Sequence, residues 1–131
     1  KKLDTILEMR KKVARKYFDK LKSVEGVILP YIKECNEESW FVFVIRLADN
    51  INREKVMSIL KEREIATNTY FPSIHLEHFY KEQFGFKEGD FPISEMISSR
   101  TLALPFYSEL SDEEINYVCK HLTDAVNESK Q

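Results

Sequence analysis

The sequence predicts an α/β fold in two layers: a small, mostly antiparallel sheet of three or four strands with helices packed on it. Three observations predict it. Apolar residues recur at helical spacing near both ends of the chain and again around Val56 to Leu60. Between these stretches stand short β-branched and aromatic runs, the strongest being Trp40 to Leu47. Helical and strand-like segments alternate along 131 residues, a length that suits one domain.

The elements follow in order. Leu3, Ile6, Leu7, Val13, Ala14, Tyr17, Phe18 and Leu21 mark a first amphipathic helix, with Arg10 interrupting its stripe. Gly26 supplies a left-handed end, and Val27 to Leu29 before Pro30 reads as a short edge strand. Tyr31 to Ser39 is a polar loop leading into the central strand at Trp40. Asn52 caps a second helix that buries Val56, Met57 and Leu60. Ile65 to Phe71 reads as a second main strand running into a turn at Pro72. A short helix carrying Leu76, Phe79, Tyr80 and Phe84 follows, then a turn at Gly85 and Gly89. Pro92 opens another helix, with Ile93, Met96, Ile97 and Arg100 on one face, and Thr101 to Leu104 is a short strand. The last helix has a capping box in Ser111 and Glu114, with Leu110 and Ile115 as its hydrophobic staple. Ile115, Val118, Cys119, Leu122 and Val126 form its buried face, and Asn127 to Gln131 reads as a frayed tail.

Composition narrows the function. A hydrophobic fraction of 43%, with nine Phe and six Tyr, is enough for a real core. The net charge of −2 argues against a general nucleic-acid binder, which needs a basic excess. Cys35 and Cys119 stand far apart without zinc-like or disulfide-framework spacing, so a reducing, cytoplasmic setting is expected. No apolar run approaches the roughly 20 residues of a membrane-spanning helix. Lys1 is not Met, and helical spacing begins at once without a cap, so the chain reads as a C-terminal piece of a longer protein.

The richest segment for chemistry is Asn68 to Tyr107, above all Tyr70-Phe71-Pro72-Ser73-Ile74-His75. Aromatic, Pro and His residues in that order shape a connection that presents side chains. His75 stands after a proline turn and before a helix, where the helix dipole disfavours a charged ring. A neutral imidazole there either exchanges a hydrogen bond with a substrate oxygen or simply caps the helix. Tyr70 and Tyr80 are the further candidates for substrate contact, each also readable as packing, while Phe79 reads as packing alone. His78 and His121 read as solvated, and a metal site from His75 and His78 lacks a third ligand. Arg46 and Arg100 suit either an anion or an ion pair, the pair being the simpler reading. Lys11, Lys12, Lys16, Lys20 and Lys22 form a solvated face, and none stands in an apolar pocket of the kind a Schiff-base lysine needs. There is no nucleophile–base pair, metal-ligand spacing or phosphate loop. The residues read as part of an active site.

The ordered set of motifs resembles the C-terminal small domain of the DegT/DnrJ/StrS sugar aminotransferases, fold-type-I enzymes dependent on pyridoxal phosphate. The match begins with Arg10, Ala14, Tyr17 and Leu21, then Gly26-Val27 and Pro30. It continues through Ser39-Trp40, Phe43 to Arg46, Leu60 to Arg63, Ile65, Pro72 and His75. It closes with Leu76, Tyr80, Phe84, Gly89-Asp90-Phe91-Pro92, Arg100, Leu102 to Pro105 and the capping pattern from Leu110 to Val118. It thus runs from Leu3 to Val126. Three positions depart from the family: Phe41 stands where His is frequent, Glu64 and Ala66 where Gly is common, and Asn68 where Gly or Arg is usual. Asn tolerates a left-handed backbone but supplies no substrate-binding guanidinium.

The resemblance implies a homodimer whose larger N-terminal domain, absent from residues 1–131, holds the pyridoxal phosphate and the Schiff-base lysine. It implies amino transfer from glutamate to a nucleotide-linked keto sugar, with His75, Tyr70 and Tyr80 facing the sugar. This chain would then be inactive alone, with no catalytic, cofactor-binding or metal-binding residue of its own and no nucleic-acid or membrane partner. A sugar dehydratase of the same family is the first alternative. A free-standing ligand-binding module is the second, and it requires a polar outer face on the first helix rather than an apolar patch at Leu3, Ile6 and Leu7.

Overall fold

The computed structural model describes residues 2–131. Helix α1 (Leu3–Leu21) leads to strand β1 (Val27–Ile28), strand β2 (Phe43–Leu47) and helix α2 (Arg53–Glu62). A single 3-10 turn (Ile74–Leu76), helices α3 (His78–Phe84) and α4 (Pro92–Arg100), strand β3 (Thr101–Leu104) and helix α5 (Asp112–Glu128) complete the chain. The sheet has three strands in the order β1-β2-β3, both pairings antiparallel. The register sets Phe43 opposite Leu104 and Ile45 opposite Leu102. One face of the sheet is therefore apolar, and α1 and α5 cover it. The two-layer α/β expectation holds.

Packing explains why these segments settle where they do. Tyr17, Leu21, Phe43, Leu47, Leu102, Ile115 and Leu122 are all fully buried in one cluster shared by α1, the sheet and α5. Each large apolar side chain of this kind contributes about 1.5–3 kcal/mol by leaving water. Tyr17 stacks on Phe43 with ring centroids 4.9 Å apart and donates its hydroxyl to the Pro105 carbonyl at 2.7 Å. Burial drives that phenol's pKa far above its ordinary value. The capping box at Ser111 and Glu114 forms in full, and both staple residues, Leu110 and Ile115, are buried. Asn52 accepts from the Lys55 N–H as the cap of α2. Gly26 has φ +90°, and a Cβ there would meet Ile51 and Val126 at 3.2 Å, so glycine serves both backbone and packing.

Five local expectations are corrected. The central strand begins at Phe43, not Trp40, because Trp40 has φ +42° and turns the chain. Its ring then stacks on Phe43 and meets Phe18 edge-on. Ile65 to Phe71 is not a strand. Only Asn68 pairs with Ala103, through two backbone hydrogen bonds, before the segment leaves the sheet edge. Beyond that bridge the carbonyl of Tyr70 is taken by the Thr101 hydroxyl at 3.0 Å, and Pro72 has no N–H to continue a ladder. Nor is the tail frayed: the Ser129 carbonyl accepts from Asn52 N–H, Gln131 N–H donates to Asn50, and Ser129 is buried. Phe79 is 62% exposed, so it packs only edge-on to Tyr80 and Phe84. His121 is not solvated, since its ring lies against Tyr117 at 4.3 Å with the side chain 14% exposed.

Two other positions sharpen the departures noted above. Glu64 has φ +58°, so a glycine-like backbone is occupied by an L-residue. Asn68 has no positive φ; it serves the sheet edge instead. At the start of α1, Leu3 and Ile6 are exposed and Leu7 is half-buried.

Candidate functional site

From Asn68 to Ser99 the chain forms an arm beside the sheet, and the candidate site lies on it. Pro72 turns the backbone out of the bridge, and Ser73 starts the 3-10 turn that carries His75. The Gly85 left-handed cap ends α3, and Gly89 with φ +92° reverses the chain towards Pro92 at the first position of α4. These turns bring three separated segments around one groove of about 930 Å³. Tyr70, His75 and Tyr80 all line it, together with Phe86, Phe91 and Ile97. The sequence thus picked out three residues that the fold does bring together.

The walls are aromatic. Phe91 meets His75 edge-on at 4.8 Å, Phe86 meets Phe91 at 5.5 Å, and Tyr80 stacks with Phe84 at 5.9 Å. Neither the Tyr70 nor the Tyr80 hydroxyl makes a protein hydrogen bond among the described residues. None of the lining residues is Lys or Arg.

Sequence reasoning missed Glu95. Its carboxylate accepts from His75 Nε2 at 2.9 Å, from Gly89 N–H at 3.0 Å and from Phe91 N–H at 3.2 Å. The Gly89 N–H is the largest influence holding this carboxyl below its ordinary 4.5. Burial opposes that shift, while His75 and Phe91 add to it. His75 is itself buried, and its partner is this carboxylate rather than a helix dipole. The readable signal was an acidic residue in the first turn of a helix begun by Phe91-Pro92.

Further polar ties hold the arm to the body. Arg53 donates to the Ser98 carbonyl at 2.7 Å, while the Ser73 and Ser98 hydroxyls, 2.7 Å apart, close the arm on itself. Arg100 pairs with Asp49, the ion-pair reading given above, whereas Arg46 has no ion-pair partner among the described residues. His78 is exposed beside Glu82. No group of His, Cys, Asp and Glu among the described residues could hold a metal, and no described helix is long and apolar enough to cross a membrane. Both cysteines are free, and burial raises the Cys119 thiol to about 11.

Comparison with known proteins gives the family and the fold. Residues 1–123 match the model of the DegT/DnrJ/EryC1/StrS aminotransferase family. The chain is 31% identical over 133 residues to the uncharacterized protein MJ1066 of Methanocaldococcus jannaschii, covering 99% of this chain and 34% of that protein. It is 30% identical over 130 residues to the spore coat polysaccharide biosynthesis protein SpsC of Bacillus subtilis, covering 96% and 33%. Among solved structures it superposes on S. venezuelae DesV, crystallised with a ketimine intermediate, with a TM-score of 0.85 at 26% identity, covering 94% of this chain and 32% of that one. Spr1654 of Streptococcus pneumoniae, named for an assigned sugar aminotransferase role, shares the fold, with a TM-score of 0.89 at 21% identity, covering 98% and 32%. The chain spans about a third of the length of the curated relatives it matches. The match of the family model over residues 1–123 shows that the chain belongs to the DegT/DnrJ/EryC1/StrS aminotransferase family.

Proposed function

We propose that this chain is the substrate-closing, C-terminal domain of an aminotransferase that moves an amino group from glutamate to a nucleotide-linked keto sugar, in polysaccharide biosynthesis. The observation that carries the reading is the aromatic groove in which Tyr70, His75 and Tyr80 converge. Ring faces suit the apolar face of a pyranose or a base, and a few hydroxyl and imidazole groups suit its polar rim. The names of SpsC and of the sugar aminotransferase structures support the sugar as substrate class.

Pyridoxal phosphate supplies the electron sink for such chemistry when bound. The residues of this groove do not fit it as holder, since they include no lysine for covalent attachment and no cation for the phosphate. We therefore assign cofactor binding to sequence outside residues 1–131, in a larger N-terminal domain. The exposed Leu3 and Ile6 support a neighbouring domain, and a homodimer in the cytoplasm is the assembly this reading expects.

The test is a glutamate-dependent assay of 2-oxoglutarate formation with a nucleotide-linked keto sugar. The full-length protein should turn over. Residues 1–131 alone should neither turn over nor develop Schiff-base absorbance with pyridoxal phosphate. Turnover by the isolated chain would overturn the assignment, and sugar loss of water without 2-oxoglutarate would replace amino transfer by dehydration.

A further inference from the structure

Two turns that shape the groove meet at one carboxylate. Glu95 Oε1 accepts from His75 Nε2, Gly89 N–H and Phe91 N–H, and Oε2 also lies 3.0 Å from Gly89 N–H. An ionised carboxylate is an acceptor only, so the ring nitrogen facing it must carry a hydrogen. In a neutral imidazole the other nitrogen then holds a lone pair. That nitrogen, Nδ1, makes no protein hydrogen bond among the described residues, and His75 lines the groove.

We propose that Glu95 is the positioning residue of the groove, fixing His75 as the Nε2–H tautomer so that Nδ1 accepts a hydrogen bond from a ligand hydroxyl. This rests on the groove being the sugar site, as proposed above. It also sets which part of the sugar His75 reads: a hydroxyl, which donates, and not the keto oxygen, which only accepts. The same carboxylate pins the Gly89–Phe91 turn, so the acceptor and the aromatic wall beside it are placed together.

Substitution chemistry separates this role from mere packing. Glu95→Gln keeps the shape, but turns one of two acceptor oxygens into a donor where only donors converge. Glu95→Asp keeps the charge and shortens the arm by one methylene. The experiment is a long-range proton–nitrogen NMR spectrum of the full-length protein labelled at histidine, with His75 assigned by its loss in His75→Gln. The wild type should show the Nε2–H pattern. Glu95→Gln should show a mixed or inverted tautomer, and Glu95→Asp should restore the original. The KM for the keto sugar should rise about tenfold in Glu95→Gln with kcat nearly unchanged, the scale of one lost hydrogen bond. An Nδ1–H pattern in the wild type would overturn the proposal, as would an unchanged tautomer in Glu95→Gln. The wild-type spectrum decides alone if that variant does not fold. Because the tautomer is read without turnover, a protein that transfers no amino group refutes the proposed function and leaves this result standing.

Discussion

Helix α5 and the arm from Asn68 to Ser99 are held in place by different forces. The helix buries Ile115, Val118, Cys119, Leu122, Ala125 and Val126, and both its ends are satisfied by caps and backbone bonds. The arm contains two helices with no buried residue at all. Its buried residues are Ser73 and His75; hydroxyl, imidazole and carboxylate contacts hold it together internally, and Arg53, Thr101 and the Asn68–Ala103 bridge tie it to the body. Apolar burial fixes a scaffold strongly and without preference for direction. Polar ties are weaker but place particular atoms, and they leave Tyr80, Phe86 and Phe91 lining the groove. The body supplies stability, and the arm supplies the groove proposed above for recognition.

The contrast is broken most severely by truncating the body. Phe43→Ala should cost about 3–5 kcal/mol in urea unfolding, because Phe43 is fully buried and touches four aromatic neighbours. Phe84→Ala, equal in chemistry but 60% exposed on the arm, should stay within about 0.5 kcal/mol of wild type. Equal losses at the two sites would erase the distinction. Next in size is Gly26→Ala. A left-handed alanine costs about 1–2 kcal/mol, and crowding against Ile51 and Val126 adds to it. Glu64→Gly runs the other way and should raise the unfolding free energy by about 1 kcal/mol, as strain at φ +58° is relieved.

The smallest global effect, and the most local one, concerns acid. The folded-state pKa of Glu95 lies below its ordinary 4.5, so its contribution is fully present above that pH and is lost as pH falls through the lowered value. Below about 4.5 the Gly89 and Phe91 amides should exchange faster relative to their intrinsic rates than amides at the centre of α5. In Glu95→Gln that acid dependence at the turn should disappear.

How much of this was legible in the sequence follows the same division. Helices α1 and α5, the Ser111–Glu114 box and the core of β2 were readable because periodicity and capping are local signals. The grouping of Tyr70, His75 and Tyr80 was readable from their place around the Pro72 turn. The supposed strand from Ile65 to Phe71 was not, because its apolar run says nothing about whether a sheet edge accepts more than the Asn68 bridge. The tail at Ser129 and Gln131 is ordered by backbone groups of Asn50 and Asn52, nearly eighty residues earlier in the chain. Glu95 escaped notice for a related reason. Its partners His75 and Gly89 come from other turns, and no spacing rule joins them.

One experiment separates sugar recognition on the arm from cofactor chemistry elsewhere: single-turnover kinetics of the full-length protein with His75→Gln and Tyr80→Ala. Release of 2-oxoglutarate from glutamate, which needs no sugar, should keep its wild-type rate, while consumption of the keto sugar should show a KM raised about tenfold. If both variants instead slow the glutamate reaction and leave the sugar's KM unchanged, the arm serves the cofactor and the reading of this groove as the sugar's wall is wrong.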